Sequence, residues 1–192
     1  YSLQSKQNLI IDLDSKNIYS ESYWNYNFSS IKTDDVFEQF RELFLDSIKI
    51  RLRSDVEVGA LLSGGLDSSA ISVLSKNLIG ESFKTYTVIS ENKKFSEENF
   101  VDILVKEKSL RNEKLLLGYE NIKENFENVI QVQDDPFLNF IVVAHYSILQ
   151  KIKNETDITV VLNGQGGDEV LAGYLRFFFF YLSDLYKRGK YF

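Results

Sequence analysis

Apolar residues change their spacing several times along the chain, and each change predicts a new element of secondary structure. Between residues 36 and 52 they recur every three or four positions, which is typical of an amphipathic helix running to about Arg53. Near-continuous apolar runs at 56–62 and 158–162 are typical of strands buried in a parallel sheet. The other predicted elements are strands at 84–89 and 114–117 and helices at 67–78, 96–110, 121–131, 140–153 and 169–188.

The order of these elements predicts the fold class. Strands and helices alternate from residue 56 onward, which favours an α/β fold with helices on both faces of a parallel sheet. In such sheets, ligands bind beyond the carboxyl ends of the strands. Two glycine-rich loops, at 63–69 and 163–169, follow strands at that edge. We therefore expect these two loops to face each other.

The first 32 residues do not share this alternation. Short strands at 8–12 and 17–20 flank a turn at 14–16, which predicts an edge hairpin. We interpret 1–32 as a linker and hairpin that follow a preceding domain. The chain starts with Tyr1 rather than methionine, so we expect it to be cut from a longer protein.

Composition excludes several classes of function. The formal net charge of -6 argues against a general nucleic-acid binder, which needs a basic face. The absence of cysteine excludes disulfides, thiolate zinc sites and cysteine nucleophiles from this segment, and it is compatible with a reducing compartment. The longest apolar run is far shorter than the roughly 18 residues that a membrane span needs.

The first loop, residues 63–69, has the features of an anion site. Its glycine pair allows a close approach of a ligand, three serine hydroxyls add donors, and the first amides of the next helix point at an anion. Asp67 would repel a phosphate unless a cation lay between them, and Mg²⁺ prefers one or two carboxylates together with phosphate oxygens. The alternative is that Asp67 only caps the helix.

Both loops resemble elements of asparagine synthetases, which belong to the ATP pyrophosphatase superfamily. The segment 58–69, Val-Gly-Ala-Leu-Leu-Ser-Gly-Gly-Leu-Asp-Ser-Ser, resembles their pyrophosphate-binding loop. The segment 162–174 resembles their Gly-x-Gly-x-Asp-Glu-x-x-x-Gly-Tyr element. The resemblance covers residues 20–174 and implies a Rossmann-like fold of the adenine nucleotide alpha-hydrolase type. It also implies that 33–192 is the amino-terminal part of the synthetase domain.

The resemblance implies an activity as well. Asparagine synthetases transfer the side-chain carboxylate of aspartate to AMP, release pyrophosphate from ATP, and let ammonia displace AMP. The implied partners are ATP with Mg²⁺, aspartate or a related acid, ammonia, and a glutaminase domain of the same chain. A cytoplasmic location without membrane or nucleic-acid partners is implied too. The glutaminase domain and the rest of the synthetase domain lie outside this sequence, so we expect this segment alone to make no amide.

By the same resemblance, the site residues form overlapping groups. Asp67 and Asp168 would hold Mg²⁺ and, together with Gln165, would carry the chemistry. The acid substrate would contact Gly166, Asp168 and Glu169. The residues predicted to bind ATP and pyrophosphate are Leu61, Ser63, Gly64, Gly65, Leu66, Asp67, Ser68, Ser69, Val88, Asn163 and Gly164.

Two positions depart from the family pattern. Many members have glutamate where Gln165 stands, although homologues with glutamine also exist. Glutamate can take a proton from attacking ammonia, whereas glutamine only donates or accepts hydrogen bonds. Either proton removal is handled elsewhere, or the nucleophile or the substrate differs. Ala172 replaces a glycine that is often found before Gly173-Tyr174, and we interpret this as a packing change.

Three further features receive mainly structural interpretations. His145, the only histidine, lies on an apolar helix, which favours a structural role over that of a ligand or base. The segment 134–136 predicts a loop before its proline, with Asp135 as a substrate-side candidate by the resemblance. The aromatic run 177–181 predicts a core segment, and any exposed part of it would promote self-association, for example as a homodimer.

Three functions remain open from the sequence. The favoured one is a ligase like asparagine synthase of the glutamine-hydrolysing type. The second is a related adenylating amide synthase that acts on another acid. The third is an ATP-binding or assembly module without turnover, for which Gln165 is the supporting feature.

Overall fold

A computed structural model describes residues 3–25, 35–92, 96–134, 136–137 and 139–190. The chain divides into one unit up to Gln39 and a second from Phe40 onward. In the first unit, strands β1 (Gln7–Ile11) and β2 (Ile18–Ser22) pair antiparallel. The predicted hairpin is therefore present, and its relation to a preceding domain stays a prediction.

From residue 36 onward, helices and strands alternate, except that two helices follow each other directly at two places. In chain order the elements are α1 (Val36–Arg51), β3 (Val58–Leu61), α2 (Leu66–Ile79), β4 (Lys84–Ser90), α3 (Glu98–Lys108), β5 (Arg111–Leu117), α4 (Tyr119–Gln133), α5 (Ile141–Glu155), β6 (Val160–Leu162), α6 (Gly167–Leu171) and α7 (Leu175–Lys187). Strands β3 to β6 form one sheet in the order β5-β4-β3-β6, and each neighbouring pair is parallel. The predicted parallel α/β fold is confirmed.

The sheet order brings distant parts of the chain together. Strand β6 pairs directly with β3, with Ala60 opposite Leu162. The loops that follow these two strands therefore begin side by side at the same edge of the sheet, although about 100 residues separate them in the sequence. This edge is the carboxyl edge, where ligands of parallel sheets bind.

Helices cover both faces of this sheet. On one face, Tyr86 of β4 packs against Ile148 of α5, and Leu61 of β3 joins the same cluster. On the other face, Leu62 packs against Val101 of α3. Because successive residues of a strand point to opposite faces, Leu61 and Leu62 belong to two different clusters.

A buried polar network fixes the end of β3 to its neighbours. The Thr87 hydroxyl donates to the Leu62 carbonyl oxygen at 2.7 Å and accepts a hydrogen bond from the Asn112 side chain at 2.9 Å. Asn112 also donates to the Thr85 hydroxyl at 3.1 Å. Because Leu62 immediately precedes the first loop, this network positions the start of that loop.

Replacing Thr87 with valine is expected to lower the free energy of unfolding by about 1–3 kcal/mol. The substitution keeps the shape but leaves the buried Leu62 carbonyl and one Asn112 donor without their partner. Urea unfolding measures the effect as a lower midpoint at an unchanged slope. Thr159→Val is the matched control, because Thr159 is exposed, and its midpoint should not move. Equal midpoints for the two variants would contradict the importance of the network.

The carboxyl-terminal segment is two helices rather than the single predicted helix at 169–188. Helix α6 ends at Leu171, and Ala172 adopts a left-handed backbone with a φ of 57°. A residue in this conformation cannot continue a right-handed helix, so the chain turns before α7 begins at Leu175. Ala172 therefore differs from glycine in its backbone preference, and the interpretation as a packing change is corrected.

Replacing Ala172 with glycine is expected to stabilise the protein by about 1 kcal/mol, because glycine adopts positive φ without the steric penalty of a Cβ. The measurement is the urea midpoint, which should rise. Ala144→Gly is the opposite control, since Ala144 lies inside helix α5, where glycine costs about 1 kcal/mol. A fall in both midpoints would contradict the backbone explanation.

Helix α7 also corrects the predicted core segment at 177–181. Phe178 to Tyr181 are between 61% and 64% exposed, whereas Phe177 is half-buried and contacts Tyr174 at a ring distance of 5.6 Å. Successive helical side chains point about 100° apart, so one face cannot bury five consecutive aromatic residues. Self-association through the exposed rings stays a prediction.

Candidate functional site

The loops after β3 and β6 line one open cleft with a volume of about 490 Å³. They touch directly, because a Cβ added to Gly164 would lie 3.0 Å from the Ser68 backbone nitrogen and 3.1 Å from the Asp67 Cβ. The expectation that the loops face each other is confirmed. The predicted residues that line the cleft are Leu61, Ser63, Gly65, Leu66, Asp67, Ser68, Asn163, Gly164, Gln165 and Asp168.

Some predicted site residues lie outside the lining of this cleft, all of them in the described part of the chain: Gly64, Ser69, Val88, Gly166 and Glu169. The Val88 side chain packs against the cluster around Tyr86. Gly64 lies against α3, where an added Cβ would be 3.1 Å from the Phe100 Cβ. Their contacts with a ligand stay predictions. Asp135 lies outside the described residues.

Hydrogen bonds of Ser68 close the first loop on itself. Its hydroxyl oxygen accepts the Ser63 amide at 3.2 Å, donates to the Gly65 carbonyl at 3.2 Å, and lies 3.0 Å from the Ser63 hydroxyl. Ser68 is only 6% exposed. A hydroxyl has a single hydrogen, so this arrangement does not support Ser68 as a side-chain donor to an anion. The main donors that this loop offers are its backbone amides.

Asp67 does not cap helix α2. The N-cap residue is Gly65, and Asp67 lies in the first helical turn. The alternative that Asp67 only caps the helix is therefore wrong. The Asp67 carboxylate lies against Gly167, where an added Cβ would be 2.5 Å from Oδ2. The missing side chain at Gly167 thus leaves the space that this carboxylate occupies.

Asp168 has a similar setting on the other loop. An added Cβ on Gly173 would overlap the Asp168 carboxylate, and the Gly173 amide donates to the Asp168 carbonyl at 2.9 Å. Asp67 and Asp168 are the carboxylates among the described residues that line the cleft, and no lysine or arginine lies among those residues. The cleft is therefore acidic.

The donor set of the cleft fits Mg²⁺ that is shared with a polyphosphate. Among the residues that the structure describes, no three histidine, cysteine or acidic side chains cluster as a closed metal cage. Mg²⁺ commonly uses only one or two carboxylates and completes its shell with phosphate oxygens and water. Asp67 and Asp168 supply that number, and the glycines beside them leave the carboxylates room.

The second loop is a tight turn that places Gln165 at its tip. The Asn163 side-chain oxygen accepts the Gln165 amide at 2.9 Å, and the Gly167 amide donates to the Gly164 carbonyl at 3.2 Å. Gly166 has a φ of 94°, which glycine adopts without strain. Gln165 is exposed toward the cleft as a result.

Comparison with known proteins supports the family resemblance of the two loops. A family profile described as "Asparagine synthase" matches residues 39–188. The chain belongs to the asparagine synthase family. The resemblance that the two loop motifs carry is therefore confirmed.

Two relatives of this asparagine synthase family member show how much of a relative's length the chain covers. It is 31% identical over 191 residues to the putative asparagine synthetase (glutamine-hydrolyzing) 2 of Methanocaldococcus jannaschii, covering 98% of this chain and 36% of that protein. It is 30% identical over 156 residues to asparagine synthetase (glutamine-hydrolyzing) 1 of Bacillus subtilis, covering 80% of this chain and 24% of that protein. The chain thus spans about a third of the first relative and a quarter of the second.

Among solved structures, the chain is similar to the NH3-dependent NAD synthetase of Campylobacter jejuni. The TM-score is 0.46 and the identity is 17%, over 71% of this chain and 60% of that one.

None of the described helices of this family member has the length and apolar character that crossing a bilayer requires.

His145 also lines the cleft of this asparagine synthase family member, and sequence reasoning missed it. The side chain is exposed, whereas Val143, Ile148 and Ile152 of the same helix are buried. The predicted structural role is therefore corrected. Counting helical positions places His145 at the flank of the buried stripe, and this was the available signal.

Tyr174 is held beside the second loop by two contacts. Its hydroxyl donates to the Glu169 carboxylate at 2.9 Å, and the Arg176 guanidinium lies 4.6 Å from the centre of its ring. The hydrogen bond to Glu169 raises the pKa of Tyr174, because ionisation would lose that bond and place two negative charges together. Tyr174 therefore stays a neutral donor.

Proposed function

We propose that this protein activates a carboxylic acid with ATP and converts the resulting acyl-adenylate into an amide. The observation that carries the proposal is the cleft in which the loops after β3 and β6 meet and to which both contribute a carboxylate. Family membership supports the same class of reaction. Aspartate is the proposed acid, and ammonia released from glutamine by another part of the protein is the proposed nitrogen donor.

The first loop would bind the β- and γ-phosphates, which leave together as pyrophosphate. Backbone amides at the start of α2 are the donors, since the first turn of a helix has amides without intrahelical partners and a favourable dipole for anions. Gly65 and Leu66 line the cleft at that point. The adenosine would lie toward Leu61, Val88, Asn163 and Gly164, as the resemblance implies.

Asp67 and Asp168 would hold Mg²⁺ between the two loops. When bound, this ion would neutralise phosphate charge during attack of the acid on the α-phosphorus. The chain's own contribution is to position the reactants and to present its amides to charge that develops in the transition state. Gly166, Asp168 and Glu169 stay the predicted contacts of the acid substrate.

The chemistry has two transfers. A carboxylate oxygen of the acid attacks the α-phosphorus, and pyrophosphate leaves. The nitrogen nucleophile then attacks the acyl carbon, and AMP leaves with the oxygen that it received. The first transfer is needed because an unactivated carboxylate oxygen is a poor leaving group, whereas AMP is a good one.

ATP–pyrophosphate exchange in the complete protein that contains this sequence tests the proposal. Exchange should require both Mg²⁺ and an acid, and aspartate should be the most effective acid of a panel. Stronger exchange with another acid would identify that acid, rather than aspartate, as the substrate of the same class of reaction. Binding of Mg·ATP by calorimetry without acid-dependent exchange or AMP formation would contradict the proposal and favour an ATP-binding module. The 192-residue segment alone should release no AMP from ATP, aspartate and ammonia.

A further inference from the structure

Three side chains line both the cleft and a second cavity of about 730 Å³. They are His145, Asn163 and Gln165, and we call them the boundary residues. The second cavity is otherwise lined mostly by aliphatic side chains of α4 and α5, together with Tyr174. The boundary residues therefore separate a polar, acidic space from a more apolar one.

The boundary residues indicate where the carbonyl carbon of the acyl-adenylate would lie. This inference rests on the proposed function. An acyl-adenylate is longer than the nucleotide that it contains, so its acyl group must extend out of the nucleotide site. The second cavity adjoins the cleft at the boundary residues. An acyl group that passes from one space to the other would have its carbonyl carbon beside these residues.

Among the described residues around these two spaces, three side chains carry a basic atom suited to take up a proton, those of Asp67, Asp168 and His145. Asp67 and Asp168 are assigned to Mg²⁺, and the two amide-bearing boundary residues cannot accept a proton. Tyr174 donates its hydroxyl hydrogen to Glu169 and stays neutral. His145 remains, and it is exposed to the cleft.

We propose that His145 is a catalytic residue that accepts the proton of the attacking nitrogen. The nitrogen lone pair forms the new C–N bond, while the bond from the acyl carbon to the AMP oxygen breaks and its electron pair leaves with AMP. The extra proton on the nitrogen passes to a ring nitrogen of His145. Imidazole side chains exchange protons near neutral pH, which is what this step requires. His145 thereby supplies the proton acceptor that Gln165 cannot be.

The two half-reactions separate this role from a structural one. In the complete protein, His145→Gln should keep ATP–pyrophosphate exchange within about threefold of the unsubstituted protein, because adenylation needs no such proton transfer. Amide formation should fall about 10²- to 10⁴-fold. Hydroxylamine should restore much of the lost rate as the nucleophile, because its nitrogen is far less basic than that of ammonia and gives up the extra proton to water more readily. Lys153→Gln, an exposed change on the same helix, is the control and should leave both rates unchanged.

Two outcomes would overturn the assignment. Amide formation within about threefold of the unsubstituted rate would show that His145 is not needed, and an equal loss of both half-reactions would show a binding or structural role instead. Failure of the proposed function itself has a different signature, because the unsubstituted protein would then show no acid-dependent exchange.

A second measurement needs no turnover. Diethylpyrocarbonate should modify His145, as mass spectrometry of the peptide would show, and a non-hydrolysable acyl-adenylate analogue should protect it. Adenosine alone should protect less, since it carries no acyl group that could lie beside His145. Equal modification with and without the acyl-adenylate analogue would place His145 away from the reacting carbon and overturn the proposal.

Discussion

Asp67→Asn should reduce acid-dependent ATP–pyrophosphate exchange about 10²- to 10³-fold, a loss comparable to removing one electrostatic group from an active site. The substitution keeps the size of the side chain and removes one of the two carboxylates of the cleft. Mg²⁺ would then be shared between a single carboxylate and the phosphates, so the Mg²⁺ concentration for half-maximal exchange should rise. The measurement is exchange as a function of Mg²⁺ in the complete protein.

Stability measurements distinguish this result from unfolding. Asp67 lies in the first turn of α2, where its charge interacts favourably with the helix dipole, and losing it costs only about 0.3–1 kcal/mol. Asp157→Asn, an exposed acidic change outside the cleft, is the matched control and should exchange normally. Normal exchange by Asp67→Asn would show that the reaction does not need the Asp67 carboxylate, which would then only interact with the dipole of α2.

Gly164→Ala is the second substitution with a large expected effect, a loss of about 10- to 100-fold in amide formation at nearly unchanged stability. The added Cβ would press on the Ser68 backbone nitrogen at 3.0 Å and the Asp67 Cβ at 3.1 Å, and neither atom can rotate away. The two loops must therefore separate by a few tenths of an ångström. Gly164 is not among the glycines with positive φ, so alanine introduces no backbone strain there.

Gly80→Ala is the complementary control for this contact. Gly80 follows α2 with a φ of 95°, and an added Cβ would meet no atom within 4 Å. The variant should lose about 1–2 kcal/mol of stability through backbone strain and keep its activity per folded molecule. If Gly164→Ala instead lost as much stability as Gly80→Ala, the activity loss would come from unfolding. Full activity of Gly164→Ala would show that the loops tolerate separation.

The parallel sheet could be predicted because helices cover both of its faces, which makes β3 and β6 apolar on both sides. Near-continuous apolar runs precede both loops, and helical spacing separates them. Strand β5 was predicted only from Lys114, whereas it starts at Arg111. Its first residues are polar, and they pair with β4 from Lys84 onward at the outer side of the described sheet. Apolar spacing does not report such a partly exposed strand, because main-chain pairing sets its length.

The candidate site was predictable where local sequence determines the backbone. The glycine pair at 64–65 and the loop at 163–167 follow strands, and the fold brings both to one cleft. What could not be predicted depends on neighbours far along the chain. Gly167 provides space for Asp67, which lies 100 residues earlier, and His145 reaches the cleft from a helix that belongs to neither loop. Ala172 could not be recognised as left-handed because alanine rarely adopts that conformation.

The pairing of β3 with β6 has a consequence for how the protein acquires its cleft during folding. Val58 pairs with Val160, so this part of the sheet closes a loop of about 100 residues. The chain loses conformational entropy when it closes this loop, before it gains the contacts between β3 and β6. Contacts between residues so far apart in the sequence slow folding. During synthesis the first loop must wait for β6. We therefore expect the ability to bind nucleotide to appear no earlier than the pairing of β6 with β3.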